Sequence, residues 1–312
     1  MTNDKASLSA PALLADDARD DLIEKKITCP FLGSAVREGF LPVRGDAQHP
    51  LANVEEVRKL GNRGGGDLGE VLVLFAEGNH GFTSGPSGKL TERVPADLFS
   101  LELPGSQGSH AGHSGILETD PNQPGSGKTS LENFGRLADR ATKDGVIRRS
   151  DIGRFIAENL MRDPTSKVSL ESVAGLLAAD LAEIIEAGAS AIWQRLFGVR
   201  QQPVEAHRDF ERRLTKLMGE DNLVGSAGEF GLLVAFLANS PRTAILARDE
   251  DHKLPFDEEP ALSLEEIRGM FIEKRLPPGW ENWKKSRVDW IIHTTALIVS
   301  AAMEYAKLDK AD

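Results

Sequence analysis

The chain contains a single cysteine, Cys29, at a place where a thiolate could be stabilised. Pro30 follows it, and apolar residues at helical spacing continue until Gly39, which predicts a helix of about two turns between the proline and the glycine. Cys29 would lie at the N-terminus of this helix, where free amides and the helix dipole favour a negatively charged sulfur. The alternative is a buried cysteine that serves only as a small apolar side chain.

Glu229 is a second candidate, because it stands alone among apolar residues in the segment 228–236. The spacing of this segment predicts a helix on which Leu232, Leu233 and Phe236 share a face with Glu229. A carboxyl group in such surroundings could act as a general acid or base. The alternative is an ordinary carboxylate on a helix surface or near a helix N-terminus.

The elements that must position these residues are predicted to be mainly α-helical. From Ser130 onward, apolar residues recur at i, i+3 and i+4, as in 152–160 and 173–185. The N-terminal half, by contrast, is rich in Gly, Pro, His and Ser and is predicted to be loop-rich, with one strand-like apolar run at 71–75. We expect residues 1–26 to be a partly disordered N-terminal extension and residues 27–312 to form a single helical domain.

Local patterns predict where several of these elements begin. Ser150 stands at a predicted helix start, and Ser263 with Glu266 forms a capping box ahead of another. The long apolar stretch 288–303 is predicted to be a buried helix. Glycines at 64, 66 and 69 match a dinucleotide-binding spacing, but they precede an apolar run instead of joining a strand to a helix, which favours a flexible loop.

The composition excludes several classes of protein. With 312 residues, 40% hydrophobic and 27% charged, the chain can bury a substantial core and is not disordered throughout. Asp and Glu number 48 against 37 Lys and Arg, and the resulting net charge of −11 argues against a nucleic-acid partner. One cysteine excludes an internal disulfide or a Cys-rich metal cluster. An acidic N-terminus without an apolar segment, and the short stretch 288–303, favour a cytoplasmic protein that does not bind membranes.

The sequence around Cys29 resembles a known family. Residues 28–42, Thr-Cys-Pro-Phe-Leu-Gly-Ser-Ala-Val-Arg-Glu-Gly-Phe-Leu-Pro, resemble the haem-ligating segment of the heme-thiolate peroxidases, the group of chloroperoxidase and the unspecific peroxygenases. In that family, Cys-Pro is followed at the same distance by Gly, an aromatic residue, Leu and Pro. The sequence departs from the family at Gly33, where Asn is common, and at Glu38, where His is common. The resemblance implies a heme-thiolate peroxidase fold that binds haem b, with Cys29 as axial iron ligand beside Pro30.

Two further segments extend the resemblance. Glu118-Thr119-Asp120 resembles the family element whose Glu and a backbone carbonyl bind Mg²⁺ together with a nearby Ser. The resemblance implies Glu118, Thr119 and Ser130 as magnesium ligands, with residues 121–129 mostly an insertion. Residues 271–280 resemble a late family segment in which a helix ends in Arg-Leu-Pro and reaches Gly-Trp, and we expect it to be structural.

The same resemblance implies that Glu229 is the distal group that moves a proton between the two oxygens of peroxide. Family members support this Glu with a His or with an Arg seven residues before it, and Thr119 and Asn222 occupy those positions here. His110 and His113 could supply an imidazole instead. His80 is a further candidate, and each of these histidines could equally be an ordinary surface residue.

The function that the resemblance implies is a heme-thiolate peroxidase or peroxygenase, which uses hydrogen peroxide to oxidise a small organic substrate. A thiolate ligand favours heterolytic cleavage of the peroxide O–O bond. One alternative keeps the haem and the thiolate but has a non-oxidative or ligand-sensing role. Another, of a different class, is a helical interaction protein without haem, in which Cys29 is simply buried.

Overall fold

The computed structural model describes residues 16–27, 29–45, 50–79, 98–101, 115–116, 128–163, 166–177, 213–214, 216–218, 220–246 and 260–310. Helices account for 64% of the residues that can be interpreted, which confirms the mainly α fold class. In chain order, the helices are α1 (Asp16–Lys25), α2 (Pro30–Arg37), α3 (Val54–Gly61), α4 (Leu68–Asn79), α5 (Leu131–Ala138), α6 (Arg149–Arg162), α7 (Asn222–Leu237), α8 (Pro241–Leu246), α9 (Leu264–Phe271) and α10 (Arg287–Leu308), with a short 3-10 helix at Trp280–Asn282. Helical backbone also covers 170–177.

Short strands join the helices in two places. Strands β1 (Arg44–Gly45), β2 (Pro50–Asn53) and β3 (Leu98–Ser100) form an antiparallel sheet in that order. Strands β4 (Val146–Arg148) and β5 (Ala261–Ser263) form an antiparallel pair, with Val146 opposite Ser263. Because the pair is antiparallel, the helices that follow the two strands begin at its opposite ends: the Arg149 amide donates to the Pro260 carbonyl at 3.2 Å, and the Leu264 amide donates to the Gly145 carbonyl at 2.9 Å.

The centre of the fold is α7, which packs lengthwise against α10, while α10 also packs against α6. Nearly all of α7 is buried, and small residues let α10 approach its backbone. Trp290 Nε1 donates a hydrogen bond of 3.1 Å to the carbonyl of Gly228. A Cβ at Gly231 would clash with Thr294 Oγ1 and lie 2.9 Å from the Thr294 Cα. These contacts fix which face of α7 points away from α10.

Helix α2 forms for the local reasons that its sequence indicates. Cys29 is the N-cap residue with extended backbone, and Pro30 is the first helical residue. Gly39 follows the C-terminus with a φ of 77°, a conformation that glycine adopts without strain. The amide of Phe40 then donates a hydrogen bond of 2.8 Å to the carbonyl of Ala35, which closes the helix end. The predicted two-turn helix is confirmed.

Helix α1 falls within the segment that was expected to be an N-terminal extension. It packs against α2, and its side chains Leu22 and Ile23 are buried in the same core. Helix α1 therefore shares a core with α2, and residues 1–15 of the expected extension lie outside the described part. Buried apolar side chains from Leu22 to Ala301 form one continuous core drawn from both halves of the chain.

The strand-like interpretation of residues 71–75 is wrong, because they belong to α4. A short run that is apolar on every side fits a buried helix as well as a strand. The glycines before α4 serve close packing. A Cβ at Gly64 or Gly66 would overlap the backbone of Trp283 or Lys285, and Asp67 donates its amide to the Lys285 carbonyl at 2.9 Å.

The predicted helix starts are confirmed at one place and shifted at another. Ser263 caps α9 by accepting a hydrogen bond from the Glu266 amide at 3.4 Å. Helix α6 begins at Arg149 rather than after Ser150, with the Asp151 carboxylate accepting the Arg148 amide at 3.1 Å. The stretch 288–303 is helical, as predicted, and lies within α10, but it is not buried throughout, because Ile292, Val299 and Met303 are exposed. Among the described helices, none has the length and apolar character needed to cross a membrane.

Candidate functional site

The N-terminus of α2 and one face of α7 border a partly open cavity with a volume of about 70 Å³. Both Cys29 and Glu229 line it. The remaining lining is mostly apolar and comes from α2, α3, α4, α7 and α9, together with Lys285. The two residues that the sequence singles out for chemistry, 200 positions apart, are therefore brought to one site.

The thiol of Cys29 lies among protein atoms at the cavity end of α2. Burial raises its pKa from 9.0 to about 11, and the negative charge of Glu229 acts in the same direction. The backbone amides of Leu32 and Phe31 and the charge of Lys274 favour the thiolate instead. With no metal bound, the balance keeps the thiol protonated at neutral pH.

The last turn of α2 is anchored to the segment that follows α9. Ser34 Oγ donates to the Met270 carbonyl at 3.3 Å, and the Glu38 carboxylate accepts the Leu276 amide at 2.9 Å. Glu38 stands where the heme-thiolate peroxidases commonly have His, and its side chain has a structural use here. It ties α2 to the Arg-Leu-Pro segment and thereby fixes the position of Cys29.

Aromatic side chains complete the attachment of α2. The Trp280 ring lies 5.7 Å from Phe31, 5.3 Å from Phe40 and 6.2 Å from Phe236, measured between ring centroids. Phe31 belongs to α2, Phe40 follows the end of α2, Phe236 belongs to α7, and Trp280 follows the Gly at 279. The two family-like segments, 28–42 and 271–280, are thus in direct contact, and both meet α7.

Glu229 lies in the second turn of α7 and is half-buried. Leu232, Leu233 and Phe236 line the same cavity, which confirms that they share its helical face. This face is the one that α10 leaves uncovered. The interaction between the Glu229 carboxylate and the Cys29 thiol shows that the two groups are within electrostatic reach of each other.

Asn222, at the position where some family members carry Arg, is used elsewhere. It is the first residue of α7, and its Oδ1 accepts the Lys167 amide at 2.5 Å. The neighbouring Asp221 accepts the Ser169 amide at 2.7 Å. Together they attach the segment before residues 170–177 to the start of α7, so Asn222 has a structural role.

Ser130, predicted as a magnesium ligand, is the N-cap of α5. Its Oγ accepts the Asn133 amide at 3.2 Å, and its own amide donates to the Ile116 carbonyl at 2.7 Å. Glu118, Thr119, His110, His113 and His80 lie outside the described residues. Within the described part of the chain, no three His, Cys, Asp or Glu side chains form a metal-binding group. The magnesium site stays a prediction.

The sequence did not draw attention to two buried lysines near the site. Lys285 lines the cavity and has no exposed surface, and Lys274 is 5% exposed. Burial lowers the pKa of each from 10.5 to about 8. Lys274 interacts electrostatically with Cys29. Isolated lysines in a charged sequence carry no pattern that distinguishes them from surface residues.

The donor chemistry of the site fits a haem iron, and the cavity of about 70 Å³ would have to open further to hold the ring. A single thiol projects into mostly apolar surroundings, and a coordinating metal ion removes the proton from a thiol whose pKa burial has raised. Comparison of the chain with protein-family models, with curated proteins and with solved structures finds no match. The likeness to heme-thiolate peroxidases therefore depends on the short segments quoted above.

Proposed function

We propose that the protein is a heme-thiolate peroxidase or peroxygenase that uses hydrogen peroxide to oxidise a small organic substrate. The observation that supports this proposal is that Cys29 and Glu229 line one mostly apolar cavity. A thiol that can bind iron and a carboxyl group that can move a proton are the two side chains that this reaction requires.

Cys29 would hold haem b through its sulfur. When bound, a haem iron with a thiolate ligand favours heterolytic cleavage of the peroxide O–O bond. The chain contributes a sulfur whose position is fixed by the anchoring of α2. Its apolar cavity walls offer water few hydrogen-bonding partners, which strengthens the electrostatic interactions inside.

Glu229 would transfer the proton. One carboxylate oxygen accepts the proton from the peroxide oxygen that stays, and the carboxyl group then donates it to the oxygen that leaves as water. General acid–base catalysis of this kind contributes about 10²- to 10⁴-fold to a rate. The neighbouring Leu232 and Leu233 offer an apolar surface for the organic substrate beside the carboxyl group.

The test is the peroxide-dependent oxidation of guaiacol by the haem-reconstituted protein and by Glu229→Gln. Glutamine keeps the shape of the side chain but cannot carry the proton. We expect the rate to fall about 100-fold or more while haem affinity changes less than about 2-fold. The control is Glu171→Gln, which alters an exposed carboxylate outside the cavity and should leave both quantities unchanged.

An unchanged rate in Glu229→Gln would contradict the assigned role. A wild-type protein that binds haem through Cys29 but does not turn over peroxide would favour the second candidate, a heme-thiolate protein with a non-oxidative or sensing role. One observation favours that candidate: Asn222, whose Oδ1 accepts the Lys167 amide at 2.5 Å, is neutral and brings no positive charge towards Glu229, as the family's arginine would. Failure to take up haem would favour an interaction protein.

A further inference from the structure

Lys285 is a buried cation in the wall of the candidate haem cavity. It has no exposed surface, whereas its neighbour Lys284 is exposed. Its backbone is held between the 3-10 helix and α10, where its carbonyl accepts the Asp67 amide at 2.9 Å and Gly66 packs against it. Because the backbone is fixed on both sides, the side chain is directed inward by the fold.

The ammonium group of Lys285 has few partners for its charge. It donates one hydrogen bond of 3.0 Å to the Trp280 carbonyl, and Nζ lies 5.0 Å from the Trp280 ring centroid and 5.7 Å from that of Phe236. An ammonium has three N–H donors. Among the described residues, no carboxylate forms an ion pair with it, and Glu281 attracts it only at longer range.

A second cation increases the positive charge at this end of the cavity. The Arg63 guanidinium lies 5.5 Å from the Trp280 ring centroid and 4.8 Å from that of Phe40. Lys285 and Arg63 therefore share contact with one indole ring. The repulsion from Arg63 adds to burial in lowering the pKa of Lys285 to about 8, so the side chain is still mostly charged at neutral pH.

Burying a charge is costly unless an opposite charge accompanies it. We propose that Lys285 binds a carboxylate carried by the apolar molecule that occupies the cavity. A single ammonium with aromatic and aliphatic neighbours suits a singly charged carboxylate on an apolar body, whereas phosphate is bound by several donors. This inference deepens the proposed function and rests on it for one of the two possible sources of the carboxylate. The carboxylate belongs either to a propionate of the proposed haem or to the organic substrate.

The alternative is that Lys285 serves only to hold the Trp280 carbonyl. Lys285→Met removes both the charge and the donor, and Lys285→Gln removes the charge but retains an N–H donor. If the lysine were purely structural, glutamine would behave as the wild type. If the charge binds a carboxylate, both variants should lose that binding. Urea denaturation and circular dichroism show whether each variant is folded.

The first part of the experiment uses the apoprotein and calorimetric titration with decanoate and with 1-decanol, which share an apolar body and differ in charge. We expect both Lys285 variants to bind decanoate about 10-fold or more weakly than the wild type, with 1-decanol unaffected. Lys284→Met is the matched control and should bind both as the wild type does. This result assigns the carboxylate to the substrate.

The second part titrates the same proteins with haemin and with haemin dimethyl ester, which has no free propionate. A loss of about 10-fold for haemin, with no loss for the ester, assigns the carboxylate to the cofactor. Decanoate and haemin binding that are both insensitive to Lys285 would overturn the inference. If the wild type takes up no haem but binds decanoate through Lys285, the inference holds and the proposed function fails. If haem binds through Cys29 but neither haemin nor decanoate binding depends on Lys285, the inference fails and the proposed function stands.

Discussion

The two helices that carry Cys29 and Glu229 are held in different ways. Helix α2 has 8 residues and is attached by side-chain hydrogen bonds and aromatic contacts to the segment after α9. Helix α7 has 16 residues and is held by a close approach to α10 at Gly231, where a Cβ would clash with Thr294. The Cys29 side of the cavity should therefore tolerate small changes in its helix, and the Glu229 side should not.

The largest effect is expected on the Glu229 side, from Gly231→Ala. The added methyl group would clash with Thr294 Oγ1 and lie within 2.9 Å of its Cα, so α7 and α10 must separate. We expect the free energy of unfolding to fall by about 2 to 3 kcal/mol, as in other overpacked cores. Urea denaturation measures this loss.

The matched change on the Cys29 side is Gly33→Ala. A Cβ at Gly33 would lie 3.6 Å from Ile23 Cγ2 and 3.7 Å from Ile27 Cγ2, which are ordinary contacts. Replacing a helical glycine whose surroundings have room for a methyl group stabilises a protein by about 0.4 to 1 kcal/mol. Equal losses of stability in Gly33→Ala and Gly231→Ala would contradict the difference between the two helices.

We also expect the free energy of unfolding to fall at acidic pH, because α10, the helix that holds α7 in place, carries His293. Its Nδ1 is buried and has no hydrogen-bond partner among the described residues. Burial, and to a smaller extent Arg149, lowers its pKa from 6.5 to about 4. Above pH 6.5 the histidine is neutral in both states, and between pH 6.5 and 4 the unfolded chain binds a proton that the folded chain does not. Stability falls across this interval, by about 3 kcal/mol in all.

His293→Gln removes this titration. We expect its free energy of unfolding to depend less on pH than that of the wild type between pH 6.5 and 4, which urea denaturation at several pH values measures. Above pH 6.5 the difference in free energy of unfolding between the two proteins should no longer change with pH. A variant that retains the full wild-type slope would show that other groups cause the acid sensitivity.

Sequence reasoning located the Cys29 helix well because its determinants are local. Pro30 begins the helix and Gly39 ends it, and neither depends on distant parts of the chain. The cavity-lining face of α7 was also predictable, because helical periodicity places Leu232, Leu233 and Phe236 beside Glu229 whatever surrounds them. Residues 71–75 were misassigned because a run that is apolar on every side has no periodicity.

What depends on tertiary packing could not be predicted from the sequence. Lys284 and Lys285 are adjacent and identical in type, yet one is exposed and the other is fully buried in the cavity wall. The difference arises from the contact of the Lys285 backbone with Gly66 and Asp67, which lie more than 200 positions earlier. The structural use of Glu38 likewise depends on a distant partner, the amide of Leu276.

Thiolate ligation by Cys29 is the central claim, and the most direct measurement is an absorption spectrum. The haem-reconstituted protein is reduced with dithionite and saturated with CO, and it is compared with Cys29→Ala and with Glu229→Gln. We predict a strongly red-shifted Soret band in the wild type and in Glu229→Gln, and its loss in Cys29→Ala, because a thiolate ligand causes the shift. A spectrum that does not change when Cys29 is replaced would contradict the proposed function and leave Cys29 as a buried apolar side chain.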